Sequence, residues 1–261
     1  MPVTLDQILA AARTRADALA PHRPVLERAA AEVTAPDFEA ALRRRSVAVI
    51  AEIKRRSPSA GVINPQLDPV RLAATYQEHG AAAISVLTDE PYFGGSLGDL
   101  ERVVHCVAIP VLRKDFILCE DQLLEARAAG AAAALLIVRA LPQRQLAALV
   151  RFADGLGMAS LVEAHDAEEI ARAGDAGARV IGINSRDLDT FTVDVPRALS
   201  LIALVPDRCV AVAESGVASR PDVAAAASAG ADAVLVGSAL SGAEDPRVLL
   251  SALTGVERHG R

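Results

Sequence analysis

One phrase recurs along this chain: apolar residues at helical spacing, then a glycine, then alanine, then an unbroken apolar run. It reads HGAAAISVL at 79–87, AGAAAALLIV at 129–138, AGARVIGIN at 176–184 and AGADAVLVG at 229–237. Gly80, Gly130, Gly177 and Gly230 stand where a helix closes on a left-handed residue. The apolar runs after them read as strands buried on both faces, as in parallel sheets. Four further short runs lie between: VAVIAEIK at 47–54, IPVLRK at 109–114, MASLVE at 158–163 and CVAVAE at 209–214. The intervals carry helical patterns over 68–79, 97–106, 119–129, 142–155, 166–176, 195–204, 219–229 and 245–254. Asp166 and Glu169 open the fifth of these in capping-box spacing.

Eight alternating strand–helix units in about 215 residues predict an α/β fold, a (β/α)8 TIM barrel. A doubly wound open sheet is the alternative, but it usually has fewer strands and a nucleotide-type glycine loop after its first strand. Here that position reads KRRSPS, without glycine. Residues 47–261 are assigned to the barrel and 1–46 to an N-terminal helical extension. Within the extension, TLDQILAAARTRADALA reads as a helix with Thr4 as N-cap and Gln7 three residues on, and PDFEAALRRR as a second. A cap on the barrel and a dimerisation arm fit that pattern equally.

Composition narrows the class. Hydrophobic residues make up 52% of the 261, aromatics only 3%, and Trp is absent, so the core is built from Ala, Val, Leu and Ile. The net charge is -6 and there is no basic stripe, which argues against a nucleic-acid partner. The short run Arg43, Arg44, Arg45 fits a solvated helix end as well as it fits a partner. Cys106, Cys119 and Cys209 show neither CxxC nor metal-ligand spacing, which points to a reducing, cytoplasmic compartment. The N-terminus lacks a signal-peptide apolar region, and the longest apolar run, 128–138, is too short to cross a bilayer, so no membrane partner is expected. No metal site, cofactor motif or Ser-His-Asp set is legible. The five histidines (His22, His79, His105, His165, His259) fall in predicted helices or loops and read as surface residues.

The strand ends carry the chemistry. In a barrel of this kind the carboxyl ends of the strands form the active face. The first strand ends Glu52-Ile53-Lys54, the third at Lys114, the fifth at Glu163, the sixth at Asn184 and the seventh at Glu214. Period-two alternation puts Glu52 and Lys54 on one face. Because a barrel layer draws on alternate strands, Glu52 or Lys54, Lys114, Glu163 and Glu214 are placed to form one polar layer. A single charge at a strand end is often just solvated. Five, each closing an apolar run, imply mutual pairing and a task, because buried charge is costly unless paired.

Of the 27 Lys plus Arg residues, only Lys54 and Lys114 are lysine. Codon bias accounts for an arginine excess, but not for both exceptions falling at strand ends. Lysine supplies a compact charge and can exchange its proton, whereas arginine stays protonated. Proton donation, a point charge and Schiff-base chemistry all remain open on these grounds. A phosphate grip is also legible, with Ser215-Gly216 after the seventh strand and Gly237-Ser238 after the eighth. Either dipeptide alone is an ordinary turn; their paired placement favours an anion. Ser57-Pro58-Ser59 adds a loop over the ligand.

In order, EIKRRSPS, VLTDEPYFGGS, RKDFI, LLIV, LVE, GINSRDL, AESG and VGSAL resemble the indole-3-glycerol phosphate synthase family of tryptophan biosynthesis, from about Val49 to Leu240. The resemblance implies cyclisation of 1-(2-carboxyphenylamino)-1-deoxyribulose 5-phosphate with loss of carbon dioxide and water, without metal or organic cofactor. It implies Lys114 as general acid and Glu163 as the acid–base group of dehydration. Lys54, paired with Glu52, is implied as the cation near the substrate carboxylate. Asn184, Arg186 and Glu214 are implied to hold hydroxyls and the charge network. Ser57, Ser215, Gly216, Gly237 and Ser238 are implied around the phosphorylated ligand, and Phe93, Phe116, Leu135 and Leu188 around its aromatic ring. Pro91 departs from the pattern, since many members carry a basic residue there. Two other classes stay in view: a phosphosugar isomerase, which would need a Cys/Asp or Asp/Asp pair at the mouth, and a catalytically inert sensor of a phosphorylated ligand. Association with other enzymes of the pathway is not legible.

Overall fold

The computed structural model describes residues 4–261. Eight parallel strands follow one another around a closed barrel: β1 (Ala48–Ile53), β2 (Ala83–Leu87), β3 (Val111–Lys114), β4 (Ala133–Ile137), β5 (Ala159–Ala164), β6 (Val180–Asn184), β7 (Val210–Glu214) and β8 (Ala233–Val236). β8 returns to β1 with Ala233 opposite Ala48, which closes the sheet and excludes the open alternative. Two residues below the charged positions, Ile50, Leu112, Leu161 and Val212 share their face and are fully buried, so the barrel is plugged beneath its mouth.

The helices form where the apolar spacing predicts them, each in place to within one or two residues at its ends. They are α4 (Pro69–Glu78), α6 (Leu97–Cys106), α7 (Glu120–Ala128), α8 (Gln143–Gly155), α9 (Ala167–Asp175), α10 (Val195–Ile202), α11 (Arg220–Ser228) and α13 (Pro246–Leu253). Asp68, Ser96, Asp166, Asp194 and Asp245 cap helix starts by accepting backbone N–H bonds. The four glycines of the repeated phrase all have positive φ, between +88° and +94°, which only glycine adopts without strain.

The extension packs against the barrel. It comprises α1 (Leu5–Asp17), α2 (Arg23–Glu32) and α3 (Phe38–Leu42), and Thr4 with Gln7 forms the expected capping box. Leu5, Ile8, Leu9 and Ala12 of α1 and Phe38 and Leu42 of α3 join the same hydrophobic core as the barrel. The helix α2 was not expected from the sequence. Only Ala30 is buried on it, so its apolar residues do not mark a packed face, and Arg23 fixes it through Glu120 at 2.8 Å and Asp121 at 2.9 Å. Arg15 of α1 reaches Asp89 at 2.8 Å and Asp115 at 3.2 Å, both just past strand ends, which anchors the extension at the barrel's carboxyl face.

The backbone at two glycines sets opposite expectations. A Cβ on Gly130, at φ +91°, would stand 2.5 Å from Val104 Cγ1, whereas one on Gly155 meets nothing within 4 Å. Gly130→Ala should cost about 1–3 kcal/mol, and Gly155→Ala should be neutral or gain about 0.5 kcal/mol. Urea midpoints of the two variants check this, and equal midpoints would contradict it.

Candidate active site

The strand ends converge on a cavity of about 310 Å³ at the carboxyl face of the barrel, a size suited to a small ligand. At its floor the Lys114 ammonium sits 2.6 Å from Glu214 Oε2 and 3.1 Å from Glu163 Oε2. Both carboxyl groups are almost wholly buried. Glu52 pairs with Lys54 at 2.8 Å. The expected polar layer therefore forms, split into a direct triad on β3, β5 and β7 and a neighbouring pair at the end of β1, with Glu52 acting on Lys114 through space.

Burial and pairing pull these groups in different directions. Desolvation presses the Lys114 ammonium to release its proton, but Glu214, Glu163 and Glu52 together outweigh it, and the pKa is raised well above the ordinary lysine value. Desolvation also raises both buried acids. In Glu163 the Lys114 charge and the nearby His165 prevail and hold the carboxyl down at about 2. In Glu214 burial prevails, reinforced by Glu163 and Glu52, and pushes the carboxyl up to about 7. These two acids titrate as a pair, and burial makes Glu214 the more readily protonated of the two.

Two missing side chains make room for this cluster. Gly182 lies between the two acids, opposite Glu163 in the strand register, and a Cβ there would overlap the Glu214 carboxylate. Gly237, just past β8, would with a Cβ collide with Glu52 and crowd Lys54. Behind the pair, Ser241 accepts the Lys54 backbone N–H at 3.1 Å and donates to the Glu52 carbonyl at 2.9 Å. Ser241 ends the one-turn α12 (Ser238–Ser241), so the end of β1 is tied to the segment that follows β8.

The rim is polar on one side and apolar on the other. Ser215 holds φ +64°, uncommon for a residue with a side chain, and Gly216 follows at φ +76°. Their loop lines the cavity together with Gly237 and Ser238. Arg186 is drawn in by a bond from its guanidinium to the Phe191 carbonyl at 3.0 Å, and burial lowers its pKa. Phe93 and Phe116 tilt against each other at 6.1 Å, and Leu135 and Leu188 complete an apolar wall.

The family model for indole-3-glycerol phosphate synthase matches residues 5–253. An indole-3-glycerol phosphate synthase of Streptomyces griseus is 54% identical over 81% of this chain and 78% of the relative. One from Kineococcus radiotolerans is 50% identical over 89% and 88%. The chain belongs to the indole-3-glycerol phosphate synthase family. Among solved structures, a mutant tryptophan synthase alpha-subunit of Pyrococcus furiosus aligns at TM-score 0.61 and 17% identity, over 81% of this chain and 99% of its own. Thiamine phosphate pyrophosphorylase of the same organism aligns at 0.60 and 18%, over 80% and 94%. At that identity these two share the fold alone.

In this indole-3-glycerol phosphate synthase family chain, every residue singled out from the sequence as a site candidate lines the cavity. Sequence reasoning missed part of its wall. Leu5 and Ile8 of α1 line it, and nothing local to those residues marks them, because the contact is set by how the extension docks. The surface assignment for His165 is wrong: it is only 8% exposed. It directly follows β5, and its ring lies between Glu163 and Glu169. The expected Asp166–Glu169 capping box is half-formed for the same reason. Asp166 accepts the Glu169 N–H at 2.8 Å, but the Glu169 carboxylate turns to His165. In the loop after β2, the short α5 (Glu90–Phe93) carries Pro91, and Arg56 donates to the Pro91 carbonyl.

Gly182→Ala should drive Glu214 off Lys114, destabilising the chain by about 1–3 kcal/mol. Urea unfolding together with a crystal structure of the variant checks this, and an undisturbed Lys114–Glu214 contact would contradict it. Glu214 should also carry a titration near neutrality. Its folded pKa lies above the unfolded value, so its penalty is absent below about 4.5 and complete above about 7. Stability from this group falls as pH rises through that window. Carboxyl carbon NMR of labelled glutamate should show the transition in the native chain and lose it in Glu214→Gln.

Proposed function

We propose that this chain is a working indole-3-glycerol phosphate synthase, a carboxy-lyase. It closes the indole ring of 1-(2-carboxyphenylamino)-1-deoxyribulose 5-phosphate and releases carbon dioxide and water. The observation that carries this is the Lys114 ammonium, held between Glu163 and Glu214 on the floor of a cavity with an apolar wall and a serine–glycine rim.

Each step has a group suited to it. As the ring carbon bonds to the substrate carbonyl, negative charge grows on the carbonyl oxygen. A protonated Lys114 is the donor for it, and its three glutamate neighbours keep it loaded until an oxygen of greater basicity arrives. Lys54 offers a compact charge to the carboxylate that leaves, and Glu52 fixes its position. Glu163, ionised in the resting site, takes up and returns the proton of the dehydration. Asn184, Arg186 and Glu214 hold hydroxyl groups and the charge network around Lys114. Ser215, Gly216, Gly237 and Ser238 take the phosphate through backbone N–H and hydroxyl donors, with Ser57 in the loop above. Phe93, Phe116, Leu135 and Leu188 pack the aromatic ring. Residues 1–46 act as a cap, supported by the pocket contacts of α1. A cytoplasmic setting is supported by three free cysteines. No helix among the described residues is long and apolar enough to cross a membrane.

The test is the reaction itself, followed by indole fluorescence with the anilino-deoxyribulose phosphate as substrate. New emission is expected, and its absence would favour an isomerase or a sensor. Lys114→Arg keeps the charge and loses the exchangeable proton, so single-turnover ring closure should fall about 10²- to 10⁴-fold. Near-normal closure in that variant would overturn the role given to Lys114.

A further inference from the structure

Beside the mouth lies His165, a buried titratable group that the reaction as described leaves unused. The Nδ1 of His165 lies 3.0 Å from Glu169 Oε2, which also accepts the His165 backbone N–H at 2.8 Å. Its Nε2 points the opposite way, 3.5 Å from Glu163 Oε1, and has no hydrogen-bond partner of its own. The other oxygen of Glu163 faces Lys114. The Glu163 carboxylate therefore stands between an ammonium and an imidazole, one on each oxygen.

Tautomer chemistry makes this contact informative. A carboxylate at Nδ1 keeps a hydrogen there. The Nε2 atom then carries a second hydrogen only as imidazolium. A bare Nε2 lone pair against an ionised carboxylate oxygen would be repulsive, so one proton belongs between Nε2 and Oε1. We propose that His165 is the positioning residue for Glu163, holding that proton against Oε1 and exchanging it with the carboxylate as Glu163 works. In the exchange the Nε2–H bond breaks as the Oε1–H bond forms, and the reverse transfer restores both, with no other reactant. The proposal rests on reading Glu163 as the acid–base group of the site.

The surroundings supply the orientation. Burial disfavours the imidazolium, while Glu169 of α9 and Glu163 of β5 favour it and prevail over Arg139, so the ring's pKa is raised. Lys114 and Asn184 face Glu163 from its other side. Arg139 holds Glu169 at 3.2 Å and extends to Asp187 at 3.7 Å and Asp189 at 3.5 Å. Those aspartates flank Leu188 in the loop that carries Arg186, so the chain of contacts runs from the acid–base carboxyl to the wall of the cavity.

The experiment uses the full chain and two readouts. His165→Gln removes the titrating ring at similar length. The turnover number should fall about tenfold with KM within about twofold, and the acid limb of its pH profile should move up by about one unit as Glu163 loses its cation. Glu169→Gln, the milder change, should move the limb the same way by less, which keeps the test alive if His165→Gln folds poorly. Nitrogen NMR of labelled histidine, without substrate, should show both His165 nitrogens protonated at neutral pH, and the ring should titrate lower in Glu163→Gln. A His165 neutral throughout about pH 5 to 8, with an unmoved acid limb, would overturn the proposal. A purely structural role predicts loss of folded protein with the limb in place. If the native chain makes no indole product, the functional reading fails, and the NMR titration still decides the pairing of His165 with Glu163.

Discussion

Three glutamates and two lysines share one poorly solvated mouth, and their charges do not cancel. Each group taken out of water carries a desolvation cost of several kcal/mol, which only close partners offset. Lys114 is the partner that matters most, because it touches two acids at once. Its ammonium can satisfy both only if they approach it from different strands, and two acids buried so close together favour a proton on one of them. Glu214 is the acid that takes it more readily, because its burial outweighs its contact with Lys114. The resting site is thus poised between charge states near neutrality. Such a site responds to an incoming carboxylate, phosphate or developing oxyanion without rearranging its backbone.

The barrel supplies this arrangement through spacing. Alternate residues of each strand face inward, so an acid on β5 and another on β7 meet over the intervening β6, provided that β6 offers no side chain there. Gly182 provides that space. The same device recurs at Gly237, beneath the Glu52–Lys54 pair. Neither glycine has positive φ, and at both a side chain would intrude on a carboxylate. Ser241 then links the end of β1 to the segment after β8, so the anion-facing rim and the Lys54 backbone share one support.

What the sequence made legible follows this geometry. Strands and barrel helices were readable because their apolar spacing is local, and the glycines that end the helices recur in one phrase. The charged strand ends were readable because a charge closing an apolar run is conspicuous in a chain otherwise so apolar. Three things were not. The helix α2 buries only Ala30 and leaves Val25 exposed, and its anchors, Glu120 and Asp121, lie about a hundred positions away in the chain. Leu5 and Ile8 resemble any apolar residues of an amphipathic helix, and only docking turns them toward the cavity. His165 sits one residue past a strand, where a loop histidine is normally solvated. The one local hint was Glu169 at the capping-box position, and it pointed to the wrong partner.

The division between lysine and arginine also has a structural cause. Where two elements must be locked together, the chain uses the guanidinium fork. Arg55 grips Asp99 through both terminal nitrogens, at 2.5 and 3.2 Å, and Arg179 grips Asp154 at 3.1 and 2.8 Å. Arg113, buried behind Lys114, spans Asp115 and Glu125. These planar contacts fix orientation, and the guanidinium stays protonated at neutral pH. At the mouth the requirement is reversed. At 114 the ammonium already contacts both Glu163 and Glu214, and at 54 it stands 3.0 Å from where a Cβ on Gly237 would be, so a bulkier fork has little room at either place. The arginines therefore build the frame, and the two lysines occupy the places where the charge must be small and the proton free to move.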